Sequence, residues 1–468
     1  MGDFKYQISM YNLFDYTGVE KHLEKMAAKG WRFTSIGNFF WIYRRTEPTK
    51  LKYSVTYIPE ASQFDPKPLE KQRDMEAYCE EAGWKKVDNW MQMQIFCSEN
   101  PDAVPIETDE GLRLEAIHKS MKKNFLLSHV LLLFVFILNA CTQYGIAKSN
   151  WIEFLSDSSR LWTCGICLWG FLLLLFDIGY YLNWYRKAKR AVKEGLSCPE
   201  PKLYRYFNRV SWLVLLFLIV GMFSTYTAGK GVFMVVYLLG LFAVIAVVRS
   251  IQENLKRKEV SKAGNITATM LSCVILTFVL VGGITAVIVL FGGGFRGREI
   301  EGNTLEIDGV QWVIHYDTLP LPLYVEDFVE TEETIVDSSR WVITEEKSFL
   351  AEYGEYLSEL FVREGNNIEV YSIHYQVITA KAEFLYDFLL ESFYEREYRY
   401  AEEGEREKTE YRIAYETENG TMYRQYYEGL PMAHEWMVLT ENKIVPMTIY
   451  FEDLTEEQMK CIVEKISK

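Results

Sequence analysis

The chain predicts a multi-domain membrane protein: an N-terminal α+β sandwich, an α-helical transmembrane bundle of five helices, and a C-terminal α+β domain with an antiparallel sheet. Three observations carry that expectation. Residues 124–291 are dominated by long apolar runs, whereas residues 1–120 are mixed and rich in aromatics. Residues 296–468 hold 38 Asp and Glu against 16 Lys and Arg, a net charge of −22; the whole chain stands at −14, which leaves +8 for residues 1–295. Such asymmetry argues that the two halves face different surroundings. The expected domains are a cytosolic unit over 1–112, a membrane region over 113–295 and an acidic extracytoplasmic unit over 296–468.

In the first unit, KYQISMYNLF alternates as a strand does. Val19, Leu23, Met26 and Ala27 fall at helical spacing after Asp15, which has the chemistry of a cap. Gly30 ends that helix, where a left-handed residue is cheapest as glycine, and Trp31 begins a strand. FFWIYRR and KYSVTYI read as further strands. Pro66 and Pro68 open a second helix with the apolar face Met75, Tyr78, Cys79 and Ala82. Gly83 ends it, and Trp84 starts the last strand, which closes in QMQIF. "HLEKMAAKGWRF" and "MEAYCEEAGWKKV" are therefore one phrase used twice: a helix stopped by Gly, then a Trp that anchors the returning strand beneath it. Two similar corners in one sandwich explain the repeat more simply than an internal duplication.

These same residues carry a family resemblance. "FDY…VEKHLEKMAAKGWRF", "FWIYRRTEPTKLKYSVTY" and "YCEEAGWKKVDNWMQMQIF", in that order, resemble the family called domain of unknown function 2812, over about residues 10–100. The resemblance implies a bacterial, often membrane-anchored protein, frequently encoded beside a PadR-type transcriptional regulator. It implies no catalytic residue, and it does not extend to the apolar region or the acidic C-terminal segment.

A bilayer core needs roughly 20 apolar residues in a helix. Five stretches meet that length or nearly so: 125–146, 161–184, 210–228, 231–248 and 266–291, the third and fourth forming a hairpin that turns at Ala228-Gly229-Lys230-Gly231. Cytoplasmic loops retain Lys and Arg. Arg113, Lys119, Lys122 and Lys123 precede the first span. The loop after the second holds eight basic residues, among them Arg186, Lys187, Lys189 and Arg190, and the loop after the fourth holds five, among them Lys256, Arg257 and Lys258. Seventeen basic residues on these loops against five on the others set the N-terminus inside and, after five spans, residues 296–468 outside. The expected location is a bacterial plasma membrane. The N-terminal segment has neither an apolar signal core nor a cleavage site, and Tyr6 stands where a myristoylation signal wants Ser or Thr; an internal span is expected to direct insertion.

In the acidic segment, TLEIDGVQWVIHYD reads as a hairpin across Asp308-Gly309, EKSFLAEYGEYLSELF as a helix, IEVYSIHYQVI as a strand and AEFLYDFLLESFYERE as a helix. YRIAYETENGTMYRQYY is a hairpin turning at Asn419-Gly420. WMVLTENKIVPMTIYFE is another, and Thr455 with Gln458 makes a capping box for a last helix. Glu402, Glu403, Glu405 and Glu407 are the densest acidic patch, but they lack the ligand offsets of a calcium loop. They read as a solvated face, and no metal or other cofactor is expected.

Two constellations stand out within the spans. Asp177 lies in the inner half of the second, where an ionisable group costs about 2.5–3.5 kcal/mol unless it faces a partner or water. His129 lies at similar depth in the first, counting 1.5 Å per residue; the two are expected to pair, as structural glue or, more sharply, as a proton- or ligand-coupled switch. Cys164-Gly165-Ile166-Cys167 is a CxxC near the outer end of the second span, with Cys141 near the outer end of the first. These are candidates for an outward-facing thiol cluster, although thiols are also ordinary apolar residues of membrane helices. Walker, HExxH and GxSxG signatures are absent and no GxGxxG follows a strand, and His315, His374 and His434 are scattered. The basic loops read as topology signals and lipid contacts rather than as a nucleic-acid surface.

The layout favours a non-enzymatic sensor or regulatory adaptor that couples an outer domain to an inner one, with a cytosolic regulator as partner. A small transporter or exporter accessory is the second reading, with His129 and Asp177 in its path. A thiol redox protein that uses Cys164 and Cys167 is the third.

Overall fold

The computed structural model describes residues 3–8, 11–37, 40–100, 102–225, 228–291, 302–307, 310–315, 320–329, 334–364, 367–399, 404–450 and 453–468. The chain divides into two compact units: Met1–Asn139 with Ile166–Gly293, and Ala140–Gly165 with Gly294–Lys468.

The first unit begins with β1 (Phe4–Gln7), α1 (Tyr16–Ala27), β2 (Trp31–Ile36), β3 (Trp41–Arg45), β4 (Lys52–Tyr57), α2 (Glu70–Glu81), β5 (Lys85–Trp90) and β6 (Met93–Ser98). The strands make two antiparallel three-stranded sheets, β1-β3-β2 and β4-β6-β5. They meet where Asp88 on β5 accepts the Ile36 N–H of β2 at 2.6 Å. Asp15 caps α1 as its position suggests, taking the Gly18 N–H at 3.0 Å. The apolar stripe Val19, Leu23, Met26 and Ala27 is buried against Tyr43, Val55 and Ile95.

Both Gly-Trp corners form. Gly30 and Gly83 sit at φ 78° and 84°, and Trp84 is buried with its indole N–H on the Val104 carbonyl at 2.9 Å. Two details differ from expectation. The run from Trp84 to QMQIF is a hairpin rather than one strand, because Met91 takes a left-handed turn conformation at φ 53° and sends β6 back along β5. Tyr78 is 73% exposed and does not share the buried face of α2, which rests on Cys79 and Gln72.

Next come α3 (Glu110–Ser120), a π-helical segment (Met121–Leu126), α4 (Leu127–Ser149), the short α5 (Trp151–Ser156), α6 (Ser158–Lys193), α7 (Lys202–Ser224), α8 (Ala228–Arg257) and α9 (Lys262–Phe291). Five helical stretches are long and apolar enough to cross a membrane: Glu110–Ser149, Ser158–Lys193, Lys202–Ser224, Val235–Arg257 and Lys262–Gly283. The break between α7 and α8 comes earlier than expected. Residues 228–231 already belong to α8, and α7 stops at Ser224, where Ser224 and Thr225 turn their hydroxyls back onto the Gly221 and Met222 carbonyls. Such back-bonding satisfies carbonyls that the helix end leaves open.

The second unit contains α5 and the C-terminal segment: β7 (Gly302–Ile307), β8 (Val310–His315), β9 (Thr334–Lys347), β10 (Ala351–Glu364), β11 (Asn367–Ala380), α10 (Glu383–Glu397), α11 (Glu405–Lys408), β12 (Thr409–Thr417), β13 (Gly420–Tyr427), β14 (Leu430–Leu439), β15 (Lys443–Tyr450) and α12 (Glu456–Ser467). β7 and β8 pair as a hairpin, with its Asp308-Gly309 turn outside the described residues. The other strands form a seven-stranded antiparallel sheet, β12-β13-β14-β15-β11-β10-β9. One face packs under α12 (Tyr356, Leu360, Tyr375, Trp436, Val463), the other under α10 and α5 (Ile152, Tyr353, Ile378, Leu389, Met437).

The hairpin across Asn419-Gly420, the strand over 368–378, the helix over 383–397 and the Thr455–Gln458 capping box all form. The helix expected over 346–361 does not. Those residues end β9 and make β10, which is paired along its length with β9 and β11. Tyr356, Ser358, Leu360 and Val362 are buried at period two. Leu350, Tyr353, Leu357, Leu360 and Phe361 also suit a helical spacing, and ladder partners on both sides decide for the strand.

Gly30 and Gly83 separate two glycine requirements. A Cβ at Gly30 would stand 2.7 Å from the Thr46 carbonyl, whereas one at Gly83 would meet nothing within 4 Å. Gly83→Ala is expected to cost about 1 kcal/mol from backbone strain alone. Gly30→Ala, which must also displace the Thr46 carbonyl just past β3, is expected to cost roughly twice that. Thermal unfolding of the two variants side by side measures the difference.

Candidate functional site

A connected run of polar side chains links three candidate spans to the N-terminal sheets. It is built by α4, α6, the start of α7 and the connection from β1 into α1. His129 Nε2 on α4 lies 3.4 Å from Asp177 Oδ2 on α6. His129 Nδ1 lies 2.9 Å from the Phe125 carbonyl, an acceptor only, so Nδ1 carries a proton. The Asp177 carboxylate also acts electrostatically on the Tyr204 hydroxyl of α7. The Tyr204 hydroxyl oxygen accepts from Asn12 Nδ2 at 2.8 Å, and Asn12 Oδ1 accepts the Leu13 N–H at 2.6 Å.

Beside this run stands the strongest polar joint of the unit. Arg205 donates from Nε and Nη2 to the two oxygens of Asp15, at 2.7 and 2.8 Å. Asp15 is 0% exposed, and its carboxylate also caps α1. The preceding Phe14 is equally buried and packs against Tyr180, Tyr181, Trp184 and Tyr204, with ring centroids 5.0–6.4 Å away. The Phe-Asp pair of "FDY" is therefore a plug that α6 and α7 close over. The sequence marks Asp15 only as a cap. Its partner lies 190 residues away, and the available signal is an arginine just ahead of an apolar run.

Further contacts bind the same loops. Glu200 pairs with Lys21, Trp184 donates to the Pro199 carbonyl at 2.7 Å, and Glu110 accepts the Cys198 N–H at 3.3 Å. Arg113, which sits over the Tyr16 ring, is held by Glu107 and Glu110 at 3.0 and 2.5 Å. The connection between α8 and α9 is held as well: Lys262 meets Asp65 at 2.9 Å and Lys67 meets Glu259 at 2.7 Å.

The other singled-out residues have plainer surroundings. Arg186, Lys187, Lys189 and Arg190 are exposed on the end of α6, while Tyr181, Trp184 and Ala188 on its opposite face are buried. Lys122 is exposed, and Lys123 reaches the Pro59 and Glu60 carbonyls at 3.2 and 3.3 Å. Lys256, Arg257 and Lys258 lie at the end of α8. Cys141, Cys164 and Cys167 are free thiols. Glu402 and Glu403 lie outside the described residues, and among the described residues no group of three metal-ligating side chains gathers. His374 pairs with Glu355 at 2.9 Å and His434 Nδ1 lies 2.8 Å from the Ile449 carbonyl.

Two outcomes are expected. A double-mutant cycle on His129→Gln and Asp177→Asn gives a coupling energy of about 1 kcal/mol, the range of hydrogen bonds between membrane helices; thermal unfolding in detergent reads it. The second concerns Glu20 on α1, whose carboxyl is pushed up to about 7, chiefly by burial, against the lowering pull of the Val55 N–H and Arg113. A carboxyl raised in the folded state stabilises fully below its unfolded value, near 4.5, and loses that contribution as pH rises to about 7. Relative to Glu20→Gln, the wild-type chain is expected to lose on the order of 2 kcal/mol across that window, measured by unfolding the two proteins at pH steps between the two limits.

No curated protein and no solved structure matches the chain. Residues 15–130 match the model of one family, described as Protein of unknown function (DUF2812), a match that runs past the expected limit near residue 100 to take in α3, the π-helical segment and His129.

Proposed function

We propose that this chain is a non-enzymatic sensor or regulatory adaptor of a bacterial plasma membrane, coupling its C-terminal unit to its N-terminal domain. The observation that carries this reading is the His129–Asp177 contact and the Asn12–Tyr204 hydrogen bond, electrostatically linked through Asp177 and Tyr204, beside the Asp15–Arg205 pair. Helix displacements in switching proteins are of the order of 1–2 Å. A shift of that size in α4 or α6 takes these hydrogen bonds beyond their working range and alters the partners of the loop that opens α1. A ligand shifts such an equilibrium only by its differential affinity for the two arrangements, so the reading requires one set of contacts to be remade in the other state. The cytosolic partner in this reading is a transcriptional regulator of the PadR type, as the family resemblance implies.

Support for the orientation comes from which loops each unit gathers. The basic connections α6–α7 and α8–α9 pack with the N-terminal domain. The connection between α4 and α6 belongs to the C-terminal unit, where Ser348 donates to the Leu155 carbonyl at 2.5 Å and Ser158 to the Lys347 carbonyl at 2.8 Å. Five crossings with basic loops inside leave the acidic unit outside.

Cysteine accessibility tests this with single cysteines at the N-terminus, beside Gly195 and at Lys468, probed in intact cells with a membrane-impermeant maleimide. The expected result is labelling at Lys468 alone. Labelling at neither terminus would place both inside and remove the basis for coupling across the membrane.

A further inference from the structure

Residues 296–468 contain seven lysines. Four of them, Lys347, Lys443, Lys465 and Lys468, line a single cavity of about 430 Å3 between the seven-stranded sheet and the end of α12. In a segment of net charge −22 this is a local reversal of sign. The volume falls in the range of small-molecule sites, roughly 300–1,000 Å3.

Lys443 is the informative member. It is half-buried, and its ammonium donates to the Ile466 carbonyl at 2.6 Å. Among the described residues no carboxylate oxygen stands within 4.0 Å of it and no other acceptor takes its remaining protons. The neighbouring lysines are already committed: Lys465 to Asp327 at 3.0 Å and Lys347 to Glu345 at 2.8 Å. Glu352 on the same wall is held by Lys381 at 2.5 Å. The rest of the lining includes apolar surface from Tyr356, Val377 and Pro322.

We propose that this cavity binds a small organic anion, with its carboxylate or phosphate group on Lys443 and its apolar body against Tyr356, Val377 and Pro322. Burial pushes the Lys443 ammonium below the usual lysine range, and an anion beside it reverses that penalty by supplying the opposite charge. Lys465 and Lys347 at the rim add attraction without being required to leave their partners. The proposal gives the C-terminal unit of the proposed sensor a ligand class, but binding does not depend on coupling. Calorimetry reports the site and cysteine accessibility the orientation, so either can fail alone.

The test is isothermal titration calorimetry on the full chain in nanodiscs, with benzoate, phenyl phosphate and neutral benzamide as probes. The expected result is one site per chain for at least one of the two anions, with benzamide about ten-fold weaker or more. The better of the two anions identifies the head group. Lys443→Gln, which keeps a donor for the Ile466 carbonyl, is expected to weaken the anion about ten-fold or more. Lys460→Gln, a lysine outside the cavity, is expected to leave it unchanged. Lys465→Gln, expected to weaken it several-fold, serves if the first variant fails to fold. Equal binding of benzamide, unchanged anion affinity in the folded lysine variants, or no binding of either anion by the wild-type chain up to about 10 mM would overturn the proposal.

Discussion

The first unit depends on what becomes of the charge of Asp15. A carboxylate with no exposure to solvent carries a desolvation penalty of several kcal/mol, which only close opposite charge and full hydrogen bonding offset. Arg205 supplies the charge in a two-pronged geometry and Gly18 supplies a backbone donor. The consequence is geometric. Asp15 starts α1 and Arg205 starts α7, so neither helix can be placed without the other. Phe14 beside them packs its ring against Tyr181 and Trp184 of α6 and Tyr204 of α7.

That constraint also gives the His129–Asp177 pair its interest. Intramembrane His and Asp side chains often belong to transport paths, but such paths usually come with helices broken near the membrane midplane. Here α6 runs without interruption from Ser158 to Lys193 and α9 from Lys262 to Phe291. The Asp177 carboxylate acts instead on Tyr204, which Asn12 binds beside the buried joint. A polar group in apolar surroundings that leads to a folded domain suits transmission better than passage.

Features that rest on adjacent residues are legible from the amino-acid order alone. The glycine-terminated helices, the Asn419-Gly420 turn and the Thr455–Gln458 cap each depend on a few consecutive residues, and the structure forms all of them. The facing of His129 and Asp177 is legible because two antiparallel helices joined by a short connection set depth by counting. Arg205 as the partner of Asp15 is not, since the spacing between them carries no period. β10 misleads for a related reason. Its residues suit two periodicities, and β9 and β11, which decide between them, lie on either side in space. Met91 sets a second trap: a left-handed methionine gives none of the warning that glycine gives, so β5 and β6 read as one strand.

The segment Trp151–Ser156 has a bearing on how the chain is made. Ile152 is fully enclosed by Tyr353, Ile378, Leu385, Leu389 and neighbouring side chains, so its binding pocket is encoded about 200 residues after it. At ribosomal rates of roughly 5–20 residues per second, α5 waits about 10–40 s for the surface it belongs to. Four candidate membrane helices are synthesised in the interval. The C-terminal sheet cannot finish as an independent late domain; a piece of its core is the connection between α4 and α6. Completion of the sheet is thereby tied to correct threading of the start of the chain, and a chain that inserted its first helices wrongly would leave a hole under β10 and α10, an apolar mark that quality-control proteases read.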